Sequence, residues 1–269
     1  MDKIYKNKHE LWLKVLFSSF AVKNTSIKGK LYDFSQILFR HLKWISSRNK
    51  ILNIEYNYDK SNIDIQKKSN FDFFNFLIDE IRKTSSLYQN EELFDRIKND
   101  ENYIVFYLQN LLKDNSNDQP IEAFNKKRIY ENKVLSKAST DALTLFLFEE
   151  TYKEYELIMV YSYMQNYTKS IKEYAIYQDL VDESLFHLKS FGNMLAKMGI
   201  LSIPRVITES IYKVTNINKF INDGIKEEEA AKEECVKLAS MVDDIELSKF
   251  FEFINFQENY HIELMKKLL

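Results

Sequence analysis

Two stretches of this chain align without a gap. Glu92–Leu112 reads ELFDRIKNDENYIVFYLQNLL, and Lys249–Leu269 reads KFFEFINFQENYHIELMKKLL. They share Phe94 with Phe251, Ile97 with Ile254, Glu101-Asn102-Tyr103 with Glu258-Asn259-Tyr260, and a closing Leu-Leu. Apolar residues at this spacing mark one face of a helix. A long segment occurring twice points to a duplicated architecture. Weaker matches follow the same order: Glu10-x6-Phe17 with Glu154-x6-Tyr161, and Leu38–Lys43 with Leu185–Lys189, which is one residue shorter. The competing account is chance likeness among amphipathic helices. The common order of the weak matches counts against it.

What is duplicated is helical. Four glycines and two prolines in 269 residues leave few places to break a helix. The 20 Phe and 17 Tyr supply a large core. The expected class is all-α: two helical bundles in tandem, residues 1–137 and 138–269, with the second more regular. The expected boundary lies in 114–140, where DNSNDQP is polar and holds a helix-stopping proline.

In the first half, helices are expected over His9–Val22, Leu31–Ser47, Phe71–Tyr88 and Glu91–Lys113. A turn is expected over Asn24–Lys30, with Gly29, an irregular loop over 48–68, and a cap at Ser69. In the second half they are expected over 140–167, capped by Thr140 or Asp141, and 168–198, stopped by Gly199. Three more follow: a short one over 205–221, one over 225–242 started by Asn222 or Asp223 with Gly224, and Ile245–Leu269 behind a capping box Asp243-x-x-Glu246.

Several functions are excluded at this level. Net charge is −2 with mixed signs, so there is no basic stripe for nucleic acid. One cysteine cannot make an intrachain disulfide or a four-cysteine metal site. No apolar run reaches membrane-spanning length, and MDKIYKNKHE does not have the pattern of a signal peptide. The expectation is a cytoplasmic protein.

The chemistry concentrates in the second half. Glu258-x-x-His261 puts an acid and an imidazole one turn apart among Phe251, Ile254, Ile262 and Met265. In the first copy Ile104 stands in place of His261, so that copy reads as degenerate. Glu154 sits among Leu143, Leu147, Ile158 and Tyr161; Glu156, with Tyr163 at the same spacing, competes with it. His187 lies beside the stripe Val181, Leu188, Phe191 and Leu195, with Glu183 one turn earlier. Glu228 is the acid in a stripe of Ile225, Ala231, Cys235 and Leu238. Acids and histidines on buried faces need partners. The bland accounts are a core histidine bonded to one carboxylate, an interhelical salt bridge, and a solvated helix face.

Taken together, Glu154…Tyr161, Glu183…His187, Glu228 and Glu258…His261 resemble the ligand pattern of the ferritin-like superfamily, of the rubrerythrin and bacterioferritin type, over roughly 140–269. The resemblance implies two iron ions, or manganese, held by Glu154, Glu183, His187, Glu228, Glu258 and His261. Tyr161 would be a further hydrogen-bonding or redox group. The implied activity is oxidoreductase chemistry: oxygen or peroxide would be activated or reduced, with an electron donor. It leaves room for a small-molecule substrate and a homodimer. Two other classes stand beside it: iron binding without turnover, and a metal-free helical scaffold. One departure matters. The second helix reads Glu183-x-x-x-His187, and the family spacing would fall on Ser184. A π-bulge would realign Glu183; otherwise that carboxylate is missing.

Overall fold

The computed structural model describes residues 2–58 and 63–269. It is all-helical, with no strand among the described residues. Part of the loop expected over 48–68, residues 59–62, lies outside them. No described helix is long and apolar enough to cross a membrane. Two compact units divide the chain. Unit 1 is Met1–Asn125 with Arg205–Ile207; unit 2 is Lys126–Pro204 with Thr208–Leu269.

Unit 1 contains α1 (Asp2–Ala21), α2 (Thr25–Ile51), α3 (Asn70–Ser85) and α4 (Glu92–Leu111). Gly29 does not make the expected turn. Asn24 accepts hydrogen bonds from the backbone of Ser26 and Ile27, so α2 begins earlier and runs through the glycine. Satisfying those otherwise unpaired amides outweighs the roughly 1 kcal/mol that one internal glycine costs. Ser69 caps α3, and Asp72 closes the box by accepting from the Ser69 backbone. Trp12, Phe34, Phe73, Phe94, Ile97 and Ile104 fill the core.

Unit 2 contains α5 (Lys137–Tyr167), α6 (Ile171–Lys197), a single turn α7 (Glu209–Tyr212), α8 (Ile217–Met241) and α9 (Ile245–Lys266). Three residues join α5 to α6 and three join α8 to α9. Such short links force antiparallel neighbours. The caps differ from expectation. Ser136, not Thr140 or Asp141, caps α5 by accepting from Ser139 N. Asp244, not Asp243, caps α9, because Asp243 accepts instead from Ser136 N and Ser139 Oγ. The short helix expected over 205–221 shrinks to α7, because Asn216 caps a longer α8 that passes through Gly224. That glycine allows a close approach: a Cβ there would stand 2.4 Å from the terminal methyl of Met265 on α9. Gly199 does end its helix, at φ 79°, with Ile200 N reaching back to Leu195 O.

Leu143, Phe146, Leu147, Phe191, Leu195, Cys235, Leu238, Phe251 and Ile254 form one apolar layer from all four long helices of unit 2. Each large side chain so buried contributes about 1.5–3 kcal/mol. One to two turns further along α5 and α9, and correspondingly back along the antiparallel α6 and α8, the inward positions turn polar. This second layer holds the site.

Candidate metal centre

Glu154 comes from α5, His187 from α6, Glu228 from α8, and Glu258 with His261 from α9. All five are buried. His187 Nδ1 lies 2.8 Å from Glu154 Oε1 and 3.6 Å from Glu258 Oε1. His261 Nδ1 lies 3.0 Å from Glu258 Oε2 and 3.8 Å from Glu228 Oε1. The two rings are 5.2 Å apart between centroids. His187, Glu258 and His261 each offer a donor atom within 4.8 Å of the others.

The cluster is short of donors and of permanent cations. Glu154 Oε2, Glu258 Oε2, His261 Nε2 and the Tyr161 hydroxyl are buried with no hydrogen-bond partner in the protein. The 3.0 Å contact between His261 and Glu258 is not aligned as a hydrogen bond, so that carboxylate oxygen is left over. Among the described residues, no lysine or arginine pairs with Glu154, Glu228 or Glu258. Protons therefore fill the role. Burial pushes Glu258 up, as does the Glu228 charge, to about 8. Burial alone would lower His187, but Glu154 and Glu258 outweigh it and hold the ring at about 9. His261 is raised well above its usual value, since Glu228 and Glu258 overcome its burial. Glu228 goes the other way: burial would raise it, and His261 lowers it. Tyr161 is raised far above its usual range by burial and by Glu228, Glu154 and Glu258, so it keeps its proton.

Glu183 is not in this group. Helix α6 is an unbroken α-helix through residues 171–197, with no π-bulge. Its register places Ser184 and His187 inward and leaves Glu183 half-buried at the side. Glu183 Oε2 instead accepts from Gln257 Nε2 at 2.9 Å. Gln257 Oε1 lies 3.2 Å from His187 Nε2. Gln257 carries no charge and no motif; only its place beside Glu258 could have drawn attention to it. Glu150, one turn before Glu154, is also buried. Burial lifts its carboxyl to about 7 against the pull of Lys153, with the Glu154 and Glu228 charges adding to the rise. The competing choice, Glu156, is not buried.

Unit 1 handles its buried acid differently. Glu101 aligns with Glu258 and is fully buried. It does not pair with His41. Lys8 reaches it from α1 at 2.5 Å, Tyr88 donates to it at 2.7 Å, and Ser85 donates to its other oxygen. His41 bonds Asp100 at 2.8 Å. Ile104, at the place of His261, is buried core.

No protein-family model, curated protein or solved structure matches this chain significantly.

Proposed function

We propose that unit 2 is a ferritin-like carboxylate–histidine metal centre that activates or reduces oxygen or peroxide. Two iron ions are the proposed complement, with manganese as the alternative. One observation carries the reading. Five buried donor residues from four helices converge at one level, with donor atoms left unpaired and, among the described residues, no lysine or arginine to neutralise them. Burying carboxylates without compensation is costly. Divalent ions would compensate them and displace the bound protons.

The donor set suits the proposal. Imidazole nitrogen and carboxylate oxygen together favour iron, manganese or zinc over purely oxygen-ligated ions. Glu154, Glu228 and Glu258 would hold the metal with His187 and His261. Bound iron would supply one-electron redox chemistry that side chains lack. Tyr161 keeps a proton beside the cluster and can donate it in a hydrogen bond. Phe191, Phe251 and Ile254 close the layer below against water. On this reading a reductant and a small-molecule substrate are partners, the setting is cytoplasmic, and unit 1 is a copy that has replaced metal with Lys8.

A second reading, one ion held by His187, Glu258 and His261, draws on the mutual reach of their donor atoms and on the displacement of Glu183. Metal content decides. The chain is loaded anaerobically with Fe(II), or separately with Mn(II), and desalted. Two ions per chain support the dinuclear centre, and one supports the second reading. No stoichiometric metal overturns both and leaves a helical scaffold. Consumption of oxygen or peroxide by the reduced, loaded protein separates turnover from iron binding alone.

A further inference from the structure

Glu183, Gln257 and His187 form a chain of hydrogen bonds whose polarity is fixed from one end. A carboxylate only accepts. The amide group of Gln257 facing Glu183 at 2.9 Å must therefore be its NH2. Its carbonyl oxygen then faces His187 Nε2 at 3.2 Å. A carbonyl oxygen also only accepts, so Nε2 must carry a hydrogen. Flipping the amide would set two oxygens against each other at Glu183.

We propose that Gln257 and Glu183 are positioning residues that hold His187 with its hydrogen on Nε2 and present Nδ1 as the metal-binding nitrogen. This rests on the metal-centre reading. Nδ1 is the nitrogen that faces Glu154 and Glu258, at 2.8 and 3.6 Å. On metal binding the Nδ1 proton leaves and the Nε2 hydrogen stays with Gln257. An outer partner of this kind fixes a ligand ring's tautomer and orientation. The assignment gives the Glu183-x-x-x-His187 spacing a purpose: Glu183 acts on the site through Gln257, from the flank of its helix.

The test uses the full chain with 15N-labelled histidine, metal-free and loaded with Zn(II) as a diamagnetic probe. Proton–nitrogen correlation spectra then read each ring nitrogen. With zinc, wild type should show His187 bound through Nδ1 and a slowly exchanging hydrogen on Nε2. Gln257→Leu should lose that signal to exchange and bind Zn(II) about 10- to 100-fold more weakly. The swap Glu183→Gln with Gln257→Glu reverses the hydrogen bond between positions 183 and 257 but keeps an acceptor facing His187 Nε2, and should restore both readouts, which a merely space-filling role would not do. Zinc on Nε2, or an unchanged Nε2 signal and affinity in Gln257→Leu, overturns the relay. If zinc does not bind, the metal reading fails by itself. The relay is then judged on the metal-free protein: a protected Nε2 hydrogen lost in Gln257→Leu retains it, and no protected hydrogen in wild type overturns it.

Discussion

Lys8 and Glu101 meet at 2.5 Å in the interior of unit 1, and neither side chain is exposed. Tyr88 and Ser85 complete the carboxylate's hydrogen bonds. Removing one member of a satisfied buried pair strands the other charge. Lys8→Met should destabilise the protein by about 3–5 kcal/mol. Adding Glu101→Leu should recover most of that loss. Urea unfolding followed by tryptophan fluorescence measures both, since Trp12 and Trp44 lie in unit 1 and are the two tryptophans of the chain.

The metal-free units should respond to pH in opposite directions. In unit 2, His187 is raised to about 9 and Glu258 to about 8, so the folded state holds more protons than the unfolded chain. The His187 contribution is complete below pH 6.5 and is lost as pH rises through 9; Glu258 adds a fall between 4.5 and 8. In unit 1, burial and the charges of Lys8, Arg40 and Arg96 hold His41 down to about 2. A neutral buried histidine gives stability that is present above pH 6.5 and lost as pH falls below it. Amide hydrogen exchange should therefore show α6 and α9 loosening toward pH 9, and α2 loosening toward pH 5. The same slope in both units would contradict this.

Histidine substitutions should separate the units by metal content. His261→Ala should lower occupancy at least tenfold while circular dichroism shows nearly unchanged helix. His41→Ala should leave stoichiometry unchanged, because its Nε2 is engaged by Asp100 and the cations Lys8, Arg40 and Arg96 also lie near it. Loss of half the metal in that variant would mean that unit 1 holds a centre too.

Ser184 is fully buried, and its hydroxyl has no hydrogen-bond partner in the protein. Ser184→Glu would place an acid one turn before His187, facing inward. Without metal it should melt lower, since a larger, charged side chain enters a packed layer at a cost of about 1–3 kcal/mol from overpacking alone. With Fe(II) or Mn(II) it should gain more in melting temperature than wild type does. Equal metal-induced shifts would show that residue 184 does not reach the cluster.

The helical class was legible because so few glycines and prolines interrupt the periodic apolar faces. The inward stripes through Glu154, His187, Glu228 and Glu258 were legible for the same reason: helical spacing states which residues share a face. Three features were not. Gly29 and Gly224 read as breaks, yet Asn24 and Asn216 start helices upstream that carry through them. A cap depends on side-chain geometry that residue type does not reveal. Glu183 read as an inward acid, but one residue of spacing turns a helix by about 100° and moves it to the flank. Gln257 gave no sign, since its role arises from partners 70 and 74 positions away in the chain.

The contrast between Glu101 and Glu258 has one more consequence. Glu101 carries its counterion on the same polypeptide, synthesised with it and incapable of leaving. The acids of unit 2 are balanced by protons on Glu258, His187 and His261, which exchange with the surroundings. On the metal-centre reading, a chelator or a change in available cations would thus address one half of the molecule and pass the other by. The chain couples an internally buffered bundle to one whose charge balance is set from outside.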